Sequence, residues 1–176
     1  MKKSAVFLLL LAAMLTLIFC FDVSDMGASD CAYLRIHIRA DSNASAAQTV
    51  KYKVRDAVVS YLTPIAADCE NKEEAMARVR AVLPAIEAAA EQVLRENGFS
   101  YGARARLCRE QFPTRVYENV TLEAGVYDAL ILELGEGKGD NWWCVVYPPL
   151  CFTSGNGNIR YKSKIAEIIR SFFAEN

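Results

Sequence analysis

The stretch from Tyr33 to Ala40 alternates strictly, with Leu34, Ile36 and Ile38 on one side and Arg35, His37 and Arg39 on the other. A period of two predicts a strand, half-buried with its charged side outward. Asp41-Ser42-Asn43 then turns the chain, and the apolar period changes at once to that of a helix. Ser45-x-x-Gln48 has the form of a capping box, and Ala47, Val50, Val54, Ala57 or Val58, and Tyr61 follow at helical spacing until Pro64. A second helix is expected from about Glu73 to Asn97, with Met76, Val79, Leu83, Ile86, Ala90 and Val93 as its seam and Gly98 as its stop. Pro84 should kink it or split it in two.

Beyond Gly98 the pattern is that of strands. Ala103 to Arg109 and Arg115 to Asn119 read as one pair. Tyr127 to Leu134 and Trp142 to Tyr147 read as another, joined as a hairpin by the glycine-rich loop Gly135 to Asp140. A helix from Ser163 to Phe173 ends the chain. This order predicts an α+β fold: an N-terminal strand, two helices, antiparallel strands and hairpins, and a C-terminal helix.

Ahead of this domain lies a targeting signal. Lys2 and Lys3 precede an apolar run from Ala5 to Phe21, broken only by Thr16 and lacking the polar face of a core helix. Small and acidic residues follow it. This is the layout of a secretory signal, or of an uncleaved anchor that would touch the membrane itself. Bulky Phe19 argues against reading Cys20 as a lipidation site. Residues 1–29 are therefore expected to be signal or anchor with a short tether, and residues 30–176 a single domain.

Export makes cysteines disulfide candidates first. Of the six, Cys20 lies in the apolar run, leaving Cys31, Cys69, Cys108, Cys144 and Cys151. The number is odd, and the partners of Cys31, Cys69 and Cys108 are open. The chain has one histidine and no C-x-x-C, so zinc-site spacing is absent and neither metal nor cofactor is expected. Twenty basic against 21 acidic residues give a net charge of −1, which argues against a nucleic-acid surface. Gly135-x-Gly137-x-Gly139 fails both phosphate-loop spacings and leads into a strand.

Two readings of Cys144 compete. With His37 it can form a thiolate–imidazole pair, the imidazole oriented by Asp41 or Asn141, as in a cysteine hydrolase. Alternatively it is bonded to Cys151 across Pro148-Pro149, a stapled corner beside a binding surface. Trp142 and Trp143, adjacent on a strand, should face opposite ways, one into the core and one available as an anchor. The candidate contact residues are Arg35, His37, Arg39, Lys138, Asp140 and whichever of Trp142 or Trp143 faces outward.

Two blocks taken together resemble a known family. One is Leu34 to Asn43 continued by Gln48-x-x-Lys51-x-x-Val54-Arg55-Asp56. The other runs from Ala124-Gly125-x-Tyr127 through the glycine loop to Asn141-Trp142-Trp143-Cys144-Val145-x-Tyr147-Pro148-Pro149-Leu150-Cys151-Phe152, with Phe112-Pro113-Thr114-Arg115 between them. In order and spacing they are similar to the stage II sporulation protein R family of endospore-forming bacteria. Asp41 and Asn43 stand where that family typically has Asn and Asp, an exchange that keeps turn chemistry. The resemblance implies a protein exported from the forespore into the space between the forespore and mother-cell membranes, or anchored to the forespore membrane. There it would activate a membrane-embedded aspartic protease of the mother cell that processes pro-sigma-E. It implies a signal carried by contact and no enzyme activity of the chain's own.

Overall fold

The structure, a computed structural model, describes residues 32–117, 120–152 and 159–175, with backbone alone at 152, 159–165 and 175. The signal or anchor segment, the tether, Cys20, Cys31 and Asn119 lie outside the described residues. Among the described residues no helix is long and apolar enough to cross a membrane.

β1 (Leu34–Arg39) is followed by α1 (Ser45–Ala67), α2 (Lys72–Ala81) and α3 (Leu83–Glu96). Then come β2 (Ala103–Phe112), β3 (Arg115–Tyr117), β4 (Val120–Leu122), β5 (Gly125–Leu134), β6 (Asn141–Tyr147), a single 3-10 turn (Leu150–Phe152) and α4 (Ile159–Glu175). The fold is α+β, as its sequence pattern predicts.

Strand pairing departs from sequence neighbourhood. The main sheet runs β2-β5-β1-β6, and β3 pairs only with β4. β2 pairs antiparallel with β5 along its whole length, from Ala103 opposite Leu134 to Phe112 opposite Gly125, and not with the segment after Arg115. β5 and β6 are not a hairpin: β1 lies between them, parallel to β5 and antiparallel to β6. The physical reason is burial on both faces. Ala129, Leu130, Ile131 and Leu132 are consecutive and fully buried, and such a run belongs in the middle of a sheet. β1 is the other central strand, so the expectation that it is half-buried is corrected. Arg35 is 0% and His37 1% exposed.

One sheet face, including Leu34, Ile36, Ile38, Leu130, Leu132, Cys144 and Val146, packs against the helices. α1 contributes Val50, Val54, Val58 and Leu62, and α3 contributes Ile86, Ala90 and Leu94. α1 does not stop at Pro64 but continues to Ala67. Proline there removes one backbone donor, while the turns around it bury Leu62, Ala66 and Cys69. The capping box does not form either. The N-cap is Ala44, and the Gln48 amide donates to the Ser42 carbonyl at 2.9 Å. A side-chain cap appears instead on α2, where Asn71 accepts from the Glu74 N–H at 2.9 Å. The expected second helix is split at Val82, with Pro84 in the first turn of α3. Gly98, at φ +80°, follows α3 as expected. On α4, Ile168, Ile169 and Phe172 pack on the core.

Candidate functional site

The other face of the sheet carries the residues that look functional. Alternation places Arg35, His37 and Arg39 of β1 there, beside Arg106, Cys108, Glu110 and Phe112 of β2, Tyr127, Ala129, Ile131 and Glu133 of β5, and Trp143 of β6. Phe112, Tyr127, Ala129 and Ile131 form a small buried cluster, with Tyr33, Cys108 and Trp143 packed against it.

Beside this cluster lies a lattice of ion pairs. Arg39 reaches Glu110 and Glu133, the latter at 2.8 Å, and Arg106 reaches Glu133 at 2.6 Å and Glu110 at 3.7 Å. Burial raises the Glu133 pKa, but hydrogen bonds and charge from Arg106 and Arg39 outweigh it and hold the carboxyl below its ordinary value. These side chains keep roughly a fifth to two-fifths of their surface in solvent. They form a charged rim beside an aromatic floor.

His37 is sealed into that floor. Its ring stacks on Trp143 with centroids 3.7 Å apart and meets the edge of Phe112 at 6.0 Å. Nδ1 is 3.5 Å from Glu110, and neither ring nitrogen makes a well-formed hydrogen bond among the described residues. Burial pushes its pKa below the usual imidazole value, with Arg39 adding to the effect and Asn141 and Glu110 opposing it. A folded state that resists protonation loses stability as pH falls through the unfolded imidazole range near about 6.5. Urea midpoints should therefore fall from pH 7.5 to 5.5, and His37→Gln should flatten this dependence, since the chain has no other histidine. Identical slopes in parent and variant would contradict the burial.

Cys144 and His37 are not brought together. Cys144 lies opposite Ile36, whereas His37 lies opposite Trp143. Partners directly across an antiparallel pair share a face, so the thiol and the imidazole project from opposite sides of the sheet. Cys144 is moreover joined to Cys151, with Cα atoms 6.1 Å apart. The hydrolase dyad is corrected on geometry. Cys69 and Cys108 carry thiols, and among the described residues no cluster of side chains is suited to a metal ion.

The expected contact residues divide. Arg35 and His37 are buried, so neither presents a surface. Trp142 and Trp143 do face opposite ways, but each is half-buried and neither stands free as an anchor. Trp142 packs on the helix side beneath Arg55, 5.7 Å from its ring centroid. Trp143 lies beneath Arg115, at 5.8 Å. Arg39 is partly exposed, and Lys138 and Asp140 are exposed, Lys138 pairing with Glu136 at 2.7 Å. The sequence reading missed Arg106, Glu110 and Glu133. Their signal was the alternation of Arg106, Cys108, Glu110 and Phe112 along β2, in register with β1 only after β5 is placed between them.

The glycine loop works as a clamp across the end of β1. The Glu136 N–H donates to the Asp41 carboxylate at 2.9 Å, and the Asp140 N–H to the Asn43 side-chain oxygen at 2.6 Å. Lys138 and Gly139 N–H groups donate to the Asp41 and Ala40 carbonyls. Beneath the loop, buried Lys51 donates to the Asp140 carbonyl at 3.0 Å and to Gln48 at 2.7 Å.

The two blocks noted in the sequence thus meet in space: the β1 turn, Lys51 of α1 and the loop before β6 are one hydrogen-bonded unit. The family model described as stage II sporulation protein R matches residues 30–156, most of the chain and both blocks. The chain belongs to the stage II sporulation protein R family. A protein of that name from Bacillus subtilis (strain 168) is 38% identical over 119 residues, covering 68% of this chain and 53% of its own length. The chain thus spans about half the length of that relative. No solved structure matches. Within this stage II sporulation protein R fold, Asp41 and Asn43 each offer a side-chain oxygen to a loop N–H, a role that Asp and Asn share.

Proposed function

We propose that this chain is an exported sporulation signal that activates a membrane-embedded aspartic protease of the mother cell and so leads to processing of pro-sigma-E, acting by contact and not by catalysis. It would act in the space between forespore and mother-cell membranes, free or held by its N-terminal segment. Family membership supports the sporulation role. The observation that favours contact over chemistry is the placement of Cys144 and His37 on opposite faces of the sheet, with Cys144 in a disulfide. What is left accessible is a charged rim next to half-buried Trp143, and the exposed Lys138 and Asp140 on the clamp. An aromatic floor with a polar margin suits recognition, since the floor supplies buried area and the margin supplies orientation.

Co-expression of the full chain, the protease and pro-sigma-E in a non-sporulating host tests this. His37→Gln should leave cleavage largely intact. The combined Arg39→Ala, Arg106→Ala, Lys138→Ala and Asp140→Ala variant should reduce it at least about tenfold, the equivalent of roughly 1.4 kcal/mol of lost contact. The ion pairs of Arg39 and Arg106 are part-buried and cost more to break than the roughly 0–1 kcal/mol of an exposed pair, so cleavage is compared at a temperature where circular dichroism shows the variant folded. Loss of cleavage in a folded His37→Gln chain, with normal cleavage in the surface variant, would reverse the assignment.

A further inference from the structure

Among the buried or half-buried cations of the described residues, one lacks an anionic or strong acceptor partner. Lys72 meets Asp128 at 2.7 Å, Lys51 has Gln48 and the Asp140 carbonyl, and Arg39 and Arg106 share Glu110 and Glu133. Arg35 is 0% exposed, yet among the described residues its side chain makes one hydrogen bond, from Nη2 to the Tyr117 hydroxyl at 3.0 Å. Nε and Nη1 are buried and have no hydrogen-bond partner among the described residues. Around the guanidinium stand Phe112, Tyr127 and Tyr117, with ring centroids 4.2, 4.7 and 5.9 Å from Cζ. Aromatic faces offset part of the desolvation of a cation, but they do not accept three in-plane N–H bonds. Buried donors are nearly always paired, and a buried charge left without a counter-ion is costly.

We propose that Arg35, flanked by the rings of Phe112 and Tyr127, is the receptor for one carboxylate brought from outside the chain, which takes the place of the Tyr117 hydroxyl. The charge balance favours this class: one guanidinium neutralises one carboxylate, whose flat, paired oxygens match the planar donors. A phosphate dianion would be left with excess charge there, because neighbouring His37 resists protonation. Tyr117 belongs to the β3–β4 hairpin, which is not part of the four-stranded sheet. Its hydroxyl holds the acceptor position until a carboxylate displaces it, so ligand entry requires Tyr117 to swing away. The site does not depend on the signalling reading.

The test follows the Arg35 Nε–Hε resonance by NMR in the full chain, titrated with sodium acetate against sodium chloride at equal ionic strength. Acetate should move the resonance saturably and chloride should not. Tyr117→Phe, which keeps Arg35 but removes the competing hydroxyl, should bind acetate at least as tightly as the parent. Arg35→Met should lose at least about tenfold in acetate affinity, measured by calorimetry. The blocked tripeptide acetyl-Gly-Glu-Gly-amide separates the two possible sources. Binding tighter than acetate assigns an acidic peptide, and weaker binding assigns a free small carboxylate. If acetate produces no saturable shift in either the parent or Tyr117→Phe, the rings alone satisfy Arg35 and the proposal fails. The Tyr117→Phe arm decides the matter even if Arg35→Met does not fold.

Discussion

Gly139→Ala is expected to lower stability by about 3 kcal/mol or more, a fall of about 10 °C in the thermal midpoint for a domain of this size. A Cβ at this position would be driven into the Ser42 carbonyl and also crowd the Ala40 side chain. The obstacle is backbone on a turn already fixed by the Asp41 and Asn43 hydrogen bonds, so it cannot swing aside as a flexible side chain would. To admit the methyl group the loop must lift. That breaks the Gly139 N–H bond to Ala40, weakens the bonds of Lys138 and Asp140, and takes from buried Lys51 its bond to the Asp140 carbonyl. An ammonium group with only Gln48 left to it carries a further cost of about 1–3 kcal/mol. Gly98→Ala is the informative control. It too has a positive φ, but a Cβ there meets nothing within 4 Å, so only backbone strain of about 1–2 kcal/mol applies. Equal effects of the two substitutions in urea unfolding would contradict the clamp.

The second large effect concerns the staple. Reducing the Cys144–Cys151 bond should destabilise the folded chain by about 2–3 kcal/mol, the loop-entropy value for so short a ring. The consequence should be local. The bond fixes the 3-10 turn against β6 just after Pro148 and Pro149, both buried, while the sheet registers of β1, β2 and β5 do not depend on it. Hydrogen exchange should accordingly rise first along β6 and after Tyr147, with β5 still protected. Non-reducing peptide maps of the folded, air-oxidised protein should recover the cross-link. Two thiols that alkylate freely in folded protein would rule it out.

Local signals were legible in the sequence wherever one segment's own geometry decides them. The period of β1, the break at Pro84, the stop at Gly98 and the α+β order belong to this class. Strand order does not. Nothing within residues 127–147 states that β1 will enter between β5 and β6, because that choice is made by burial of both faces of two strands distant in sequence. The same fact hid the site. Arg35 and His37 alternate with apolar residues and read as outward, as polar residues on a strand usually are. Only the rings of Phe112, Tyr127 and Trp143, brought from three other strands, make an interior that takes them. Once those strands are in order, Arg39, Glu110, Arg106 and Glu133 fall into one lattice, and the supposed dyad of Cys144 and His37 comes apart across the sheet. Pro64 shows the reverse case, in which a local helix-stop signal is overridden by the burial of Leu62, Ala66 and Cys69.

The central claim, activation by contact, is tested most directly by titrating purified chain into the reconstituted protease and following pro-sigma-E cleavage. A contact activator predicts a rate that rises with chain added and saturates at a fixed ratio of chain to protease, and that decays when the chain is removed. Full activation by a small fraction of an equivalent, persisting after the chain has been removed, would mean that the chain alters the protease covalently and would contradict the account.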